Sequence, residues 1–161
     1  MTYTPPSPEE LMQQAIDMTY KGMDKGQSPF GCAIWYQGEI IACAHNTVMQ
    51  TIDATAHAEV NAIRQACQHI GQVHLTGAMV ATTCEPCPMC MAALHWAQVD
   101  TVYFGATIAD ADEAGFNELH LSADTLIKVG KSSVRLIGGV KTMDCRQLFQ
   151  DWLGRDDRKV Y

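Results

Sequence analysis

His57-Ala58-Glu59 and, further along, Pro86-Cys87-Pro88-Met89-Cys90 constrain the fold more than any other part of this chain. Each falls where a helix is expected to begin. One ion can collect an imidazole and two sulfurs from these stretches only if the two helix starts converge in space. Open sheets with helices packed on them bring strand-to-helix junctions together at one end. Cys87 and Cys90 lie three residues apart, so both sulfurs share one helix face. A helix start also favours thiolate over thiol, through its dipole and its free N–H groups. Pro86 and Pro88 suit the turn that leads into such a helix.

The ligand set points to the ion and to its use. A structural zinc takes four protein ligands, whereas a catalytic zinc keeps one position open. His57, Cys87 and Cys90 supply three, which leaves room for water, and catalytic zinc lowers the pKa of such a water to about 7. Glu59 lies two residues after His57. It can touch that water without competing for the metal, and it suits a base that takes a proton from water and hands it to a substrate. Such transfer typically contributes about 10²–10⁴-fold. Two other arrangements compete. A redox Cys-x-x-Cys would leave the His57-x-Glu59 pair without a purpose. A structural zinc would need a fourth ligand such as Cys84. His45, His69, His74, His95 and His120 have no comparable company and read as structural residues.

A scaffold for this site is written in the periodicity. Ser7 is a candidate N-cap, Pro8 a first helical residue, and Glu9 and Glu10 suit a helix start. Leu11, Ala15, Met18 and Gly22 then recur at helical spacing, and Gly26 marks a stop. Strands are expected at 31–36 and 40–44, joined by Gln37-Gly38-Glu39 as a hairpin. A helix follows at 56–69, with Val60, Ile63 and Cys67 on its apolar side. Next come a strand at 78–83, a helix at 87–97 and a strand at 101–105. A helix at 122–129, a strand at 134–138 and a helix at 144–153 complete the order α-β-β-α-β-α-β-α-β-α. Alternation of this kind gives a three-layer α/β/α domain with a five-stranded sheet, and the opening hairpin makes that sheet mixed. At 161 residues the chain suits one domain, 1–161, able to bury roughly 70% of its unfolded surface without staples.

Composition removes several classes. The net charge of −7 opposes binding to the phosphate backbone of DNA or tRNA, which calls for a basic patch. No apolar run reaches the ~18 residues of a membrane span, and the N-terminus lacks the basic and apolar regions of a signal peptide. Seven cysteines without such a signal suit free thiols in a reducing cytoplasm better than a disulfide framework.

The two half-motifs, Thr55-Ala56-His57-Ala58-Glu59 and Thr83-Cys84-Glu85-Pro86-Cys87-Pro88-Met89-Cys90, resemble those of the cytidine and deoxycytidylate deaminase superfamily. That resemblance implies one Zn²⁺ per subunit, hydrolytic loss of ammonia and a homodimer or larger assembly. Further stretches resemble the bacterial guanine deaminases of that superfamily. Ser28-Pro29-Phe30-Gly31 looks like their approach to the first strand, and Asn46 stands where they place a base-contacting Asn. Ala111–Glu118 is similar to their Ala-Gly-Phe segment, which implies that Glu118 contacts the substrate and shuttles protons. Trp96 and Phe30 would supply aromatic faces for a flat base, and Ala58 would lie against it. Tyr161, in a tail over 154–161, would reach an active site, its own or a partner's. The implied substrate is a small-molecule purine, guanine. Adenosine in tRNA, guanosine or cytosine, and a zinc-stabilised module without catalysis, are the alternatives. The residues leave other uses open: Asn46 as a turn residue, Phe30 and Trp96 as core, Asp110, Asp112 and Glu113 as a solvated face.

Overall fold

In the hairpin that opens the sheet, β1 (Gly31–Tyr36) turns into β2 (Glu39–His45) through Gln37 and Gly38. Both central residues have positive φ, 45° and 103°, the geometry whose twist matches a right-handed hairpin. The computed structural model describes residues 3–161. Met1 and Thr2, the start of the stretch read above as free of a leader, lie outside the described residues.

Before the hairpin runs α1 (Pro8–Met23), closed at its start by a reciprocal cap between Ser7 and Glu10. After it come α2 (Val48–Thr51), α3 (Ala58–Ile70), β3 (Met79–Cys84), α4 (Pro88–Trp96), β4 (Thr101–Ala106), α5 (Ile108–Glu113), α6 (Ala123–Gly130), β5 (Arg135–Ile137) and α7 (Thr142–Leu153). The strand order is β2-β1-β3-β4-β5. β1 pairs antiparallel with both β2 and β3, while β3, β4 and β5 run parallel. The expected five-stranded mixed sheet is therefore present. The short helices α2 and α5 were not expected. They have four and six residues, too few to show a helical period. Within α5, Asp112 and Glu113 are exposed as expected, but Asp110 departs from the expected solvated face. It closes a reciprocal cap with Thr107 and takes both carboxylate oxygens to Arg146 Nε at 3.1 Å.

Alternation along the strands divides the core in two. Ala33, Ala81 and Tyr103 face α1 and α7, where Leu11, Leu148 and Trp152 are buried. Ile34, Val80 and Val102 face the other way, toward α3, α4 and α6. The apolar side of α3 differs from expectation. Ala58, Ala62 and Ala66 form its fully buried stripe, and Val60, Ile63 and Cys67 only flank it. A methyl stripe at i, i+4 lets the helix axis lie close on β1 and β2, and from its first turn Glu59 reaches Thr82 on β3. On the opposite face Gly31 allows a similar approach. A Cβ there would fall 2.2 Å from Thr19 Oγ1 and 2.3 Å from Ala15 O on α1. Among the described residues no helix is long and apolar enough to cross a membrane.

Candidate active site

The C-terminal ends of β3 and β4 and the N-terminal end of β1 lie at one edge of the sheet, because β1 runs antiparallel to its neighbour. Every zinc-ligand candidate sits there. His57 is the residue just before α3 and Cys87 the residue just before α4, both in extended backbone, so the two helices begin immediately after their ligands. Asn61, one turn into α3, holds the approach in place. Its Nδ2 donates to His45 O at 3.0 Å and Thr47 Oγ1 at 2.9 Å, and its backbone N–H donates to His57 O at 3.0 Å. No motif marked Asn61 in the sequence.

His57 Nδ1 lies 3.6 Å from Cys87 Sγ and 3.5 Å from Cys90 Sγ. Zinc with Zn–N and Zn–S bonds of about 2.0–2.1 and 2.3 Å at tetrahedral angles holds nitrogen and sulfur about 3.6 Å apart. Both N···S distances thus match what the ion requires, and all three donors lie within 4.8 Å of one another. Among the described residues they form the only group of this kind. Cys84, the candidate fourth ligand, lines the same cavity but stands outside the ligand group, its thiol donating to Thr107 O at 3.4 Å. Burial, and then the charge of Glu118, push that thiol well above its usual range, so it does not offer a ready thiolate. Cys87 is the opposite case. The Cys90 thiol bonded to it, and then the His57 imidazole, outweigh its burial and draw it down to about 4. All seven cysteines are free.

Three carboxylates, Glu59, Glu85 and Glu118, line one small cavity with His57 and Cys87. Glu59 is buried in the first turn of α3, and its Oε1 accepts a hydrogen bond of 2.8 Å from Thr82 Oγ1 on β3. Burial, and then the charge of Cys87, raise it above the usual carboxylate range. Glu118 is half-buried, on the segment between α5 and α6. The same two causes, in the same order, push it up to about 7.

Tyr161 reaches this place from within its own chain. Its ring lies 5.7 Å from that of His57 and 5.6 Å from that of Phe116. Its hydroxyl accepts a 2.6 Å hydrogen bond from Asn46 Nδ2. Asn46 is fully buried, and its Oδ1 also accepts from Val48 N at 3.0 Å. It therefore closes its turn and holds Tyr161 at the same time. A cleft of about 260 Å³ opens beside Tyr161, with His57, Phe116 and Glu118 in its walls. Phe30 lines the inner cavity and packs edge-on against Phe116 at 4.9 Å. Ala58 is fully buried with its methyl in the core, so only its backbone could meet a ligand.

Trp96 does not join them. It is 79% exposed, packs edge-on against His95, and is neither core nor cavity lining. Leu94 takes the inward face of α4, and two residues further on a helix has turned by about 200°. About 13 Å of helix rise also separates Trp96 from Cys87.

Fold and ligand set define a class: an α/β/α protein that gathers one imidazole and two sulfurs at one end of its sheet, with a buried carboxylate beside them. The chain matches the family described as the cytidine and deoxycytidylate deaminase zinc-binding region over residues 5–106. It belongs to that family of zinc-binding deaminases, hydrolases acting on C–N bonds. A guanine deaminase of Bacillus subtilis is 42% identical over 111 residues, 68% of this chain and 71% of that one. A tRNA-specific adenosine deaminase of the same organism is 42% identical over 98 residues, 61% of each chain. The structure of a guanine deaminase from Nitrosomonas europaea superposes with a TM-score of 0.86 over 94% of this chain and 87% of that one. At 20% identity it speaks for the fold.

Proposed function

We propose that this chain hydrolyses the exocyclic amine of a free purine base, converting guanine to xanthine with release of ammonia. The observation that carries the reading is Tyr161, held by Asn46 against the His57 ring over the candidate centre. A side chain in that position leaves a cleft suited to a flat, free base rather than to a loop of nucleic acid. The net charge of −7 supports the same choice, since RNA binding draws on a basic surface.

His57, Cys87 and Cys90 would hold zinc, which would supply a Lewis acid able to bring the pKa of a water molecule to about 7. Glu59 takes the proton of the attacking water and carries it to a ring nitrogen of the base. The Thr82 hydroxyl bonded to its Oε1 fixes the carboxylate while it does so. Glu118, near 7, can both give and take a proton at neutral pH and serves the departing amine. Asn46 is fully buried and lines neither cavity, so in this reading it serves the base by holding Tyr161 over the site. Phe30 offers an aromatic face. The enzyme works as a cytoplasmic homodimer in this reading, and the exposed Trp96 suits a subunit contact better than open solvent.

Ammonia release from guanine, guanosine, adenine, cytosine and tRNA by the zinc-loaded protein tests the proposal. Guanine should be turned over fastest. Turnover of tRNA without turnover of guanine would replace it with the tRNA adenosine reading, which the similarity to tRNA-specific enzymes supports.

A further inference from the structure

Glu85 lies inside the cysteine motif but is no ligand candidate. Its backbone N–H is bonded to Ala106 O at 2.8 Å, which ties it to the end of β4. Its two carboxylate oxygens go in different directions. Oε2 accepts from Ile108 N at 3.1 Å and Oε1 accepts from Ala123 N at 3.0 Å. Ile108 and Ala123 are the first residues of α5 and α6. In both helices the N-cap side chain, Thr107 or Ser122, satisfies the amide three residues on and leaves the first N–H without an intrahelical partner. One carboxylate supplies both.

Between these two anchors runs the segment that carries Phe116 and Glu118. Little else holds its second half. Asn117, Leu119 and His120 are exposed, and the His120 to Asp112 contact of 3.3 Å lies at the surface. Phe116 is buried, Glu118 half-buried, and both face the centre that Glu85 adjoins.

We propose that Glu85 is a positioning residue: it clamps the entrances of α5 and α6 and so sets Glu118 against the centre formed by His57, Cys87 and Cys90. The inference rests on the role of Glu118 proposed above. A reacting group displaced by about 1 Å can cost on the order of 10²-fold in rate, so a clamp at both ends of its segment has a measurable consequence. Glu85→Gln keeps size and shape but turns an NH₂ group toward one of two N–H donors, and one end of the clamp opens. Ala123→Pro removes one donor from the other side, with Glu85 untouched. Proline suits a first helical position, and Ser122 already has the extended backbone that precedes proline.

The test is a double-mutant cycle with Glu118→Gln, using guanine turnover by the zinc-loaded enzyme. Zinc content and amide exchange at residues 108–123 are measured alongside. E85Q should keep its zinc, lose about tenfold or more in kcat/KM, and exchange faster at Ile108 and Ala123. In the E118Q background that loss should shrink to about twofold or less, since groups acting as a unit are not additive. A123P should show a smaller loss with the same dependence on Glu118, and it decides the matter if E85Q does not fold. Losses that multiply across the cycle, or an E85Q enzyme within about twofold of the parent, would overturn the inference while the role of Glu118 stands. A silent E118Q is recognisable by itself and would overturn both.

Discussion

Glu59 carries the sharpest demand on any single residue. It is a carboxylate in a buried first helical turn, raised by its surroundings and kept in place by one hydroxyl. A buried acid that stabilised only the fold could be replaced by its amide at modest cost. A proton carrier cannot, because an amide neither accepts nor releases the proton. Glu59→Gln should therefore bind one zinc per chain, as measured by metal analysis, and lose at least about 10²–10⁴-fold in kcat. Retained turnover would remove Glu59 from the proton path. Cys84, within the cysteine motif, stands outside the ligand group for a different reason. Its thiol is spent on Thr107 O, and it is raised where Cys87 is lowered.

The elements succeed where small residues let them approach. The alanine stripe of α3 on one face and Gly31 on the other bring helices close enough to the sheet for His57, Phe30 and the end of β3 to meet. Gly31→Ala would place its methyl 2.2 Å from Thr19 Oγ1 and against the carbonyl of Ala15, so α1 must shift. The expected cost is about 1–3 kcal/mol, as for other overpacked cores, read as a lower urea midpoint at unchanged slope. An unchanged midpoint would mean that α1 yields freely and that the close packing is incidental. The short α2 and α5 illustrate a different point. Thr107-x-x-Asp110 is a legible cap, yet six residues between a cap and Ala114 show too little of the helical period to be recognised.

For the whole molecule, the tail is the decisive feature. Arg155 Nη1 donates to Met23 O at 2.8 Å and Nη2 to Asp24 Oδ1 at 2.7 Å, which fastens the start of the tail to the end of α1. Asn46 fastens Tyr161 at the other end. Arg155→Ala should loosen the first anchor and raise KM for guanine about 3–10-fold, equivalent to ~1 kcal/mol. Steady-state kinetics and thermal melts together check this. The melting temperature should move by less than about 4 °C, since the tail lies outside both core clusters except for Tyr161. An unchanged KM would leave Tyr161 as a passive cover.

By itself the sequence determined the chemistry and the layering. His57, Glu59, Cys87 and Cys90 are local patterns, and the two-residue and helical periods report the elements and most of their buried faces, α3 being the exception. Both depend on near neighbours, so one chain is enough to read them. Tertiary structure alone decided what fills and frames the site. Tyr161 meets Asn46, Glu85 joins Ile108 to Ala123, Thr82 holds Glu59, and Trp96 turns outward. These outcomes follow from sheet order and from the rotation of each helix about its axis. Bonds between residues far apart in sequence leave no periodic trace, and they exist only once the elements that carry them have packed.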